Sequence, residues 1–188
     1  MDEKKPAYTT EIVEVPGMRF GAKRVAVHSF VLPSGRQGRW ESVHLSEKPA
    51  ALLLGMTTEQ KIVLVRLFRF PVGDFTHELP GGNVESGESA PEAARREFLE
   101  ETGYGTDEPF QELCRGWLLK DGTNGSFVVY VAGGCRKVAE PKRDEEEQAA
   151  DMTVVEKSFA DIAQAIAHGD GSYDPIVSHA LIALLTHQ

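Results

Sequence analysis

Glu97, Glu100 and Glu101 stand close together in a stretch that also holds Glu92, Arg95 and Arg96. In a helix, which turns about 100° per residue, these three carboxylates fall within about 100° of arc and share one face. The helix is punctuated at both ends. Ser89 is a good N-cap, Glu92 is its capping-box partner three residues on, and Pro91 falls in the first turn, where a missing N–H costs little. Gly103 is the stop signal. Ala90, Ala94 and Phe98 lie beside the acids and supply a face for a core. Three carboxylates so close repel one another and take up protons unless a cation joins them. A hard divalent ion with oxygen ligands, Mg²⁺ first, is the economical partner. A solvated acidic face is the competing reading of such a charge run.

The elements that must hold this helix are legible on both sides of it. Residues 1–10 are polar and read as a frayed end. Glu11–Val15, Phe20–Val31 and Trp40–Leu45 read as strands, with Pro16-Gly17 and Pro33–Gly35 as turns. His28 and His44 are read as strand-surface histidines rather than ligands. Ala50–Met56 and Lys61–Phe70 are apolar runs that suit paired central strands of a mixed sheet. Phe110–Leu119, Ser126–Val131 and Met152–Val155 read as further strands. Ser158–His168 and Pro175–Leu185 read as amphipathic helices, the first with Ser158 and Asp161 as its cap pair. Glu140–Gln148 has no apolar spacing and by composition is a solvated linker.

Composition narrows the partners. The chain of 188 residues is long enough for one domain with a sizeable core, and a hydrophobic fraction of 41% is ordinary for a globular protein. A net charge of −9 argues against nucleic acid or an anionic membrane as the main partner. No run is long and apolar enough to span a membrane, and the N-terminus lacks the apolar core of a signal peptide. Cys114 and Cys135 form no zinc spacing, so a reducing cytoplasm is the expected home. Neither a HExxH zinc site nor a P-loop follows His77–Gly82.

The stretch Gly82–Tyr104 resembles the Nudix box, G(x)5E(x)7REUxEExGU with U a bulky aliphatic residue. Every fixed position is met: Gly82, Glu88, Arg96, Glu97, Glu100, Glu101 and Gly103. Phe98 and Tyr104 take the two U positions, a mild departure. The resemblance implies an α/β (α+β) fold, with a mixed β-sheet sandwiched between helices and an antiparallel β extension at the N-terminus. The division expected is 1–46 for the extension and 47–188 for the hydrolase domain.

Within that family the chain is most similar to the ADP-ribose pyrophosphatase branch, and the resemblance implies a role for each matching residue. Glu97, Glu100, Glu101 and the Gly81 carbonyl would hold Mg²⁺ (Mn²⁺ as the alternative), and Arg96 would brace the glutamates. Arg69 would contact substrate and Glu78 would hydrogen-bond it, or else brace Arg69. Trp40 and Glu41 are the nearest matches to residues that hold the base across a homodimer. A catalytic glutamate is expected in the acidic linker, with Glu146 the best match and Glu147 the fallback. The reaction implied is hydrolysis of a pyrophosphate link in a nucleoside diphosphate attached to a further group, ADP-ribose to AMP and ribose 5-phosphate first. Lys120, Asp121 and Gly122 stand where relatives carry a proline followed by glycine, near the terminal sugar. This departure leaves open another nucleoside diphosphate sugar, a mutagenic nucleotide or a dinucleotide as substrate. A Nudix-like module that binds a nucleotide without cleaving it is the reading from a different class.

Overall fold

A computed structural model describes residues 7–15, 24–118 and 122–186. They divide into two compact units, Met1–Lys48 with Trp117–Ser126, and Pro49–Gly116 with Phe127–Gln188. Residues 117–126 thus belong to the first unit, although their position in the sequence groups them with 47–188.

The first unit is a three-stranded antiparallel sheet of β1 (Ala7–Glu14), β2 (Arg24–Val31) and β3 (Gln37–His44), in that order. β1 pairs with β2 from Ala7↔Val31 to Glu14↔Arg24, so the frayed end expected over 1–10 gives way to strand at Ala7. The Pro33–Gly35 turn closes between β2 and β3, with Gly35 at φ 85° and its N–H donated to Leu32 O over 2.9 Å. The Pro16-Gly17 turn and the first residues of the expected Phe20–Val31 strand lie outside the described residues. His44 is buried rather than on the strand surface, at 6% exposure, with Nε2 3.4 Å from Glu47. His28 shares hydrogen bonds with Thr10 and Ser42, each 2.9 Å long. Asn124 ties its loop to the end of β3, accepting from Leu45 N–H at 2.7 Å and donating to Ser46 O. Lys120 and Asp121 lie outside the described residues.

The second unit is built on β4 (Ala50–Thr57) and β5 (Lys61–Arg69), where the continuous apolar runs predicted central strands. β6 (Asp74–Glu78) pairs with β5, and β7 (Gly81–Asn83) with β4. Helix α1 (Ala90–Thr102) follows, then β8 (Tyr104–Gly105), β9 (Gln111–Trp117) and β10 (Ser126–Lys137). The chain ends in α2 (Glu145–Ala149), β11 (Thr153–Ser158), α3 (Phe159–Ala167) and α4 (Pro175–Thr186). The sheet path is β11-β5-β4-β10-β8, with β9 on β10. It is mixed, because β10 runs parallel to β4 while β5 and β7 run antiparallel to it.

Strand alternation puts helices on both faces. Ala51, Leu53, Val63, Val128 and Tyr130 pack with Ala93, Ala94 and Phe98 of α1 in one core cluster. Phe127, one residue before Val128, must point the other way, and its ring meets His179 of α4 edge-on at 5.7 Å. Phe98 lies over Gly55, where a Cβ would collide with its ring and with Cys135 Sγ. No helix among the described residues is long and apolar enough to cross a membrane.

Two elements that position the site carry no apolar periodicity in the sequence. β7 is Gly-Gly-Asn, with no strand propensity of its own. Its pairing with β4 (Leu52↔Gly81, Ala50↔Asn83) and the 2.9 Å bond from Leu53 N–H to Pro80 O hold it extended. A Cβ at Gly81 would strike Ala51 O and Leu52, so only glycine allows this approach. α2 occupies the linker that reads as structureless by composition. Ala150 and Met152 behind it bury against Val65 and Leu67, on the side of β5 that faces α1.

Candidate active site

Helix α1 forms as its signals predict. Glu92 accepts from the Ser89 N–H at 2.8 Å and from its hydroxyl, while Gly103 takes the left-handed conformation (φ 73°) and donates to Leu99 O. Burying Ala93, Ala94 and Phe98 turns the neighbouring Glu101 inward to 6% exposure. Glu97, one turn earlier, stays on its side.

A third carboxylate arrives from α2. One oxygen each of Glu97, Glu101 and Glu147 lie within 4.8 Å of one another. Asp144 caps α2, accepting from Glu147 N–H at 2.8 Å, and the Glu147 carboxylate accepts from Asp144 N–H at 2.9 Å. Two backbone bonds anchor the segment, Lys142 N–H to Glu100 O at 2.6 Å and Phe68 N–H to Ala150 O at 2.7 Å. Glu146 is exposed and outside the trio, so of the two expected candidates the structure brings Glu147 to the centre.

Glu100 also stands apart from the trio. Its carboxylate, 43% exposed, lies 3.2 Å from Arg96, its neighbour one turn back. Arg96 grips Glu88 with Nε and Nη2 (3.0 and 3.1 Å), reaches Glu97 at 2.9 Å, and donates to Asn83 O at 3.2 Å. Glu88, a fixed position of the box, is the acid that orients Arg96. A lysine offers a point charge where this planar fork meets several acceptors. Arg96→Lys is therefore expected to lower stability by about 2 kcal/mol, read from the denaturant midpoint.

Arg69 and Glu78 form a bidentate pair, Nε to Oε1 at 2.7 Å and Nη2 to Oε2 at 2.5 Å, and Thr76 donates to the same carboxylate at 2.6 Å. Glu78 thus braces Arg69, whose side chain remains 49% exposed. Asp174 is partly buried; burial pushes its carboxyl up, as does the Glu78 charge, while the Ile176 N–H and Arg69 oppose this. Trp40 and Glu41 sit on β3 of the other unit, 54% and 66% exposed respectively. Being adjacent in a strand, they point to opposite faces.

Electrostatics test whether the trio suits a cation. Burial, with Glu147 and Glu97 adding repulsion, pushes the Glu101 carboxyl up to about 9, against one opposing bond from Gly81 N–H at 3.1 Å. Glu97 and Glu147 are also raised, burial being the first cause in each. Crowded carboxylates held above their ordinary range are the donor set of a hard divalent ion, so the residues fit Mg²⁺ or Mn²⁺. A consequence follows for the metal-free protein. Because the folded-state value of Glu101 lies above the ordinary 4.5, its contribution to stability is complete below pH 4.5 and drains away as pH rises toward about 9. The melting temperature without metal is expected to fall over that window. Added Mg²⁺ is expected to raise it more at pH 8 than at pH 5, read by calorimetry.

A mixed sheet between helices, with a box helix turning its glutamates toward a loop acid, defines a class. The chain matches the NUDIX domain over residues 46–173, and it belongs to the Nudix family. Among relatives, it is 30% identical over 134 residues to the methanol dehydrogenase activator of Bacillus methanolicus, covering 69% of this chain and 68% of that one. It is 34% identical over 85 residues to the ADP-sugar pyrophosphatase of Mus musculus (40% of this chain, 39% of that one). It is 38% identical over 78 residues to the ADP-ribose pyrophosphatase of Bacillus subtilis (42% and 41%). The chain thus spans about two fifths of either pyrophosphatase. A crystal structure of an ADP compounds hydrolase superposes with a TM-score of 0.78 at 17% identity, covering 97% of this chain and 94% of that one, and shares the fold.

Proposed function

We propose that the protein hydrolyses the pyrophosphate bond of a nucleoside diphosphate joined to another group, with ADP-ribose the leading substrate and AMP and ribose 5-phosphate the products. The observation that carries this reading is the meeting of Glu97 and Glu101 with Glu147. The similarity to ADP-ribose and ADP-sugar pyrophosphatases supports the substrate class. Glu97 and Glu101, with Glu100 at the rim and the Gly81 carbonyl, would hold Mg²⁺ or Mn²⁺. A divalent ion there supplies neutralisation of the diphosphate charge and lowers the pKa of water. Glu147 takes the proton of the attacking water as it closes on phosphorus, and Glu146 is the second candidate for this role. Arg69, pre-oriented by Glu78, meets phosphate or ribose and offsets the acidity of the site. Arg96 touches no substrate and keeps the glutamates aligned.

Residues 1–46 serve dimerisation in this reading, and 47–188 form the catalytic domain. The extension exposes Ile12, Val13, Val31, Trp40 and Val43, the kind of apolar surface a second copy covers. Trp40 and Glu41 would then hold the base. Sedimentation at working concentration tests the assembly, and a clean monomer removes this part. The free Cys114 and Cys135 suit a reducing cytoplasm.

The deciding experiment is a panel of ADP-ribose, GDP- and UDP-sugars, dinucleotides and oxidised nucleotides, incubated with Mg²⁺ and scored for released phosphomonoesters. Preferred turnover of ADP-ribose supports the proposal, and another preferred substrate replaces it. Tight binding without turnover would identify a nucleotide sensor instead.

A further inference from the structure

A polar cavity of about 550 Å³ lies beside the residues that lead into α2, in the same unit as the carboxylate trio, and the mechanism above makes no use of it. Tyr104, Lys137, Glu140, Arg143 and Glu156 line it. Both acids in its wall are already engaged. Glu140 takes Lys137 Nζ at 3.0 Å. Glu156 accepts from the Tyr104 hydroxyl and lies 3.8 Å from Lys61. Arg143 differs. Its Nε is buried and has no hydrogen-bond partner, and its charge is felt at the Glu147 carboxylate without closing to an ion pair among the described residues. A buried N–H without an acceptor is costly, more so when it carries charge. A guanidinium in a polar cavity whose acids are taken calls for an acceptor from outside the chain, and its planar fork matches the oxygens of a phosphoryl group.

The wall behind this cavity is firm. Ala139 O presses on Gly103, where a Cβ would collide with it, and Val138 and Ala139 N–H both bond Gly103 O, at 2.8 and 3.0 Å. One residue beyond Arg143, Asp144 caps the helix that carries Glu147. Arg143 O also accepts from the Gln148 side chain at 2.8 Å. Whatever holds the Arg143 guanidinium therefore holds the start of α2.

We propose that this cavity is an anion site that takes a phosphoryl group, as orthophosphate or a phosphomonoester, on Arg143, and that its occupancy steadies α2 and so governs Glu147. Only the control of Glu147 rests on the pyrophosphatase reading; the anion site stands or falls without it. Lys137, which stays paired with Glu140, adds a second cation to the cavity wall. A phosphomonoester is the product class of the proposed reaction, so the site would report product to the loop that carries the base.

The test is titration of the metal-free full chain with inorganic phosphate in chelator, followed by calorimetry and by hydrogen exchange at the amides of 144–150. Wild type is expected to bind phosphate and to exchange more slowly at those amides. Arg143→Gln is expected to weaken binding by about tenfold or more and to abolish the slowing. Arg143→Lys, which keeps the charge without the fork, should fall between, and it carries the test should the glutamine variant fail to fold. Glu101→Gln is expected to bind phosphate as wild type does, which separates this cavity from the carboxylate centre. The proposal is overturned if metal-free wild type binds no phosphate, if Arg143→Gln binds it undiminished, or if binding requires Mg²⁺ and disappears with Glu101. Phosphate binding that persists while the nucleotide panel shows no turnover would leave the site standing and remove the pyrophosphatase reading.

Discussion

Glu101→Gln is expected to cut turnover by at least about two orders of magnitude while leaving the fold intact. The side chain is nearly isosteric, and its amide oxygen can still accept the Gly81 N–H that Glu101 Oε2 holds at 3.1 Å. What disappears is a buried charge at the focus of the trio. The same substitution is expected to stabilise the metal-free protein at pH 8, because the neutral amide escapes the burial and repulsion that push the native carboxyl up to about 9. It should also flatten the decline in melting temperature between about pH 5 and 9. These opposite signs separate lost chemistry from lost structure, since a variant that is slow because it unfolds melts earlier. Isothermal titration with Mg²⁺ completes the test. Wild-type turnover in a variant with bound Mg²⁺ would refute the metal assignment.

How far the site could be read beforehand depends on how local each cause is. Helix geometry is local, so the caps at Ser89 and Gly103 and the shared face of Glu97 and Glu101 were legible from spacing alone. The position of Glu100 was harder. At the edge of the arc it had two possible partners, a cation shared with the trio or Arg96 one turn back, and the Arg96 pairing is the one formed. Glu78 was legible as the possible brace of Arg69. β7 was not legible, because its extended form is imposed by β4, distant in sequence. The burial of His44 is likewise set by tertiary packing rather than by its own strand. α2 lies between these cases. Its composition, EPKRDEEEQ, carries no apolar period, yet Asp144-Glu-Glu-Glu147 has capping-box spacing. That spacing marks Glu147 as the third residue of a helix, and the burial of Ala150 and Met152 against β5 sets its direction.

The choice between Glu147 and Glu146 yields the second large effect. Glu147→Gln is expected to lower turnover about a hundredfold or more, in the range of a lost general base, whereas Glu146→Gln stays near wild type. The glutamine retains an acceptor for the Asp144 N–H, so the capping box and the helix start survive. Glu147→Ala would lose that bond as well and confound the result. Metal affinity then distinguishes two roles for the same carboxylate. A base leaves Mg²⁺ binding unchanged when replaced, and the pH–rate profile loses its acidic limb. A ligand weakens Mg²⁺ binding together with turnover, and excess Mg²⁺ restores part of the rate. The upward shift of Glu147, caused first by burial and opposed by Asp144 N–H and Arg143, moves its titration toward neutral pH, where a general base is most effective. A large loss in Glu146→Gln with wild-type kinetics in Glu147→Gln would return the role to Glu146. It would also mean that α2 rotates on substrate binding, since an exposed side chain must then reach the place Glu147 holds.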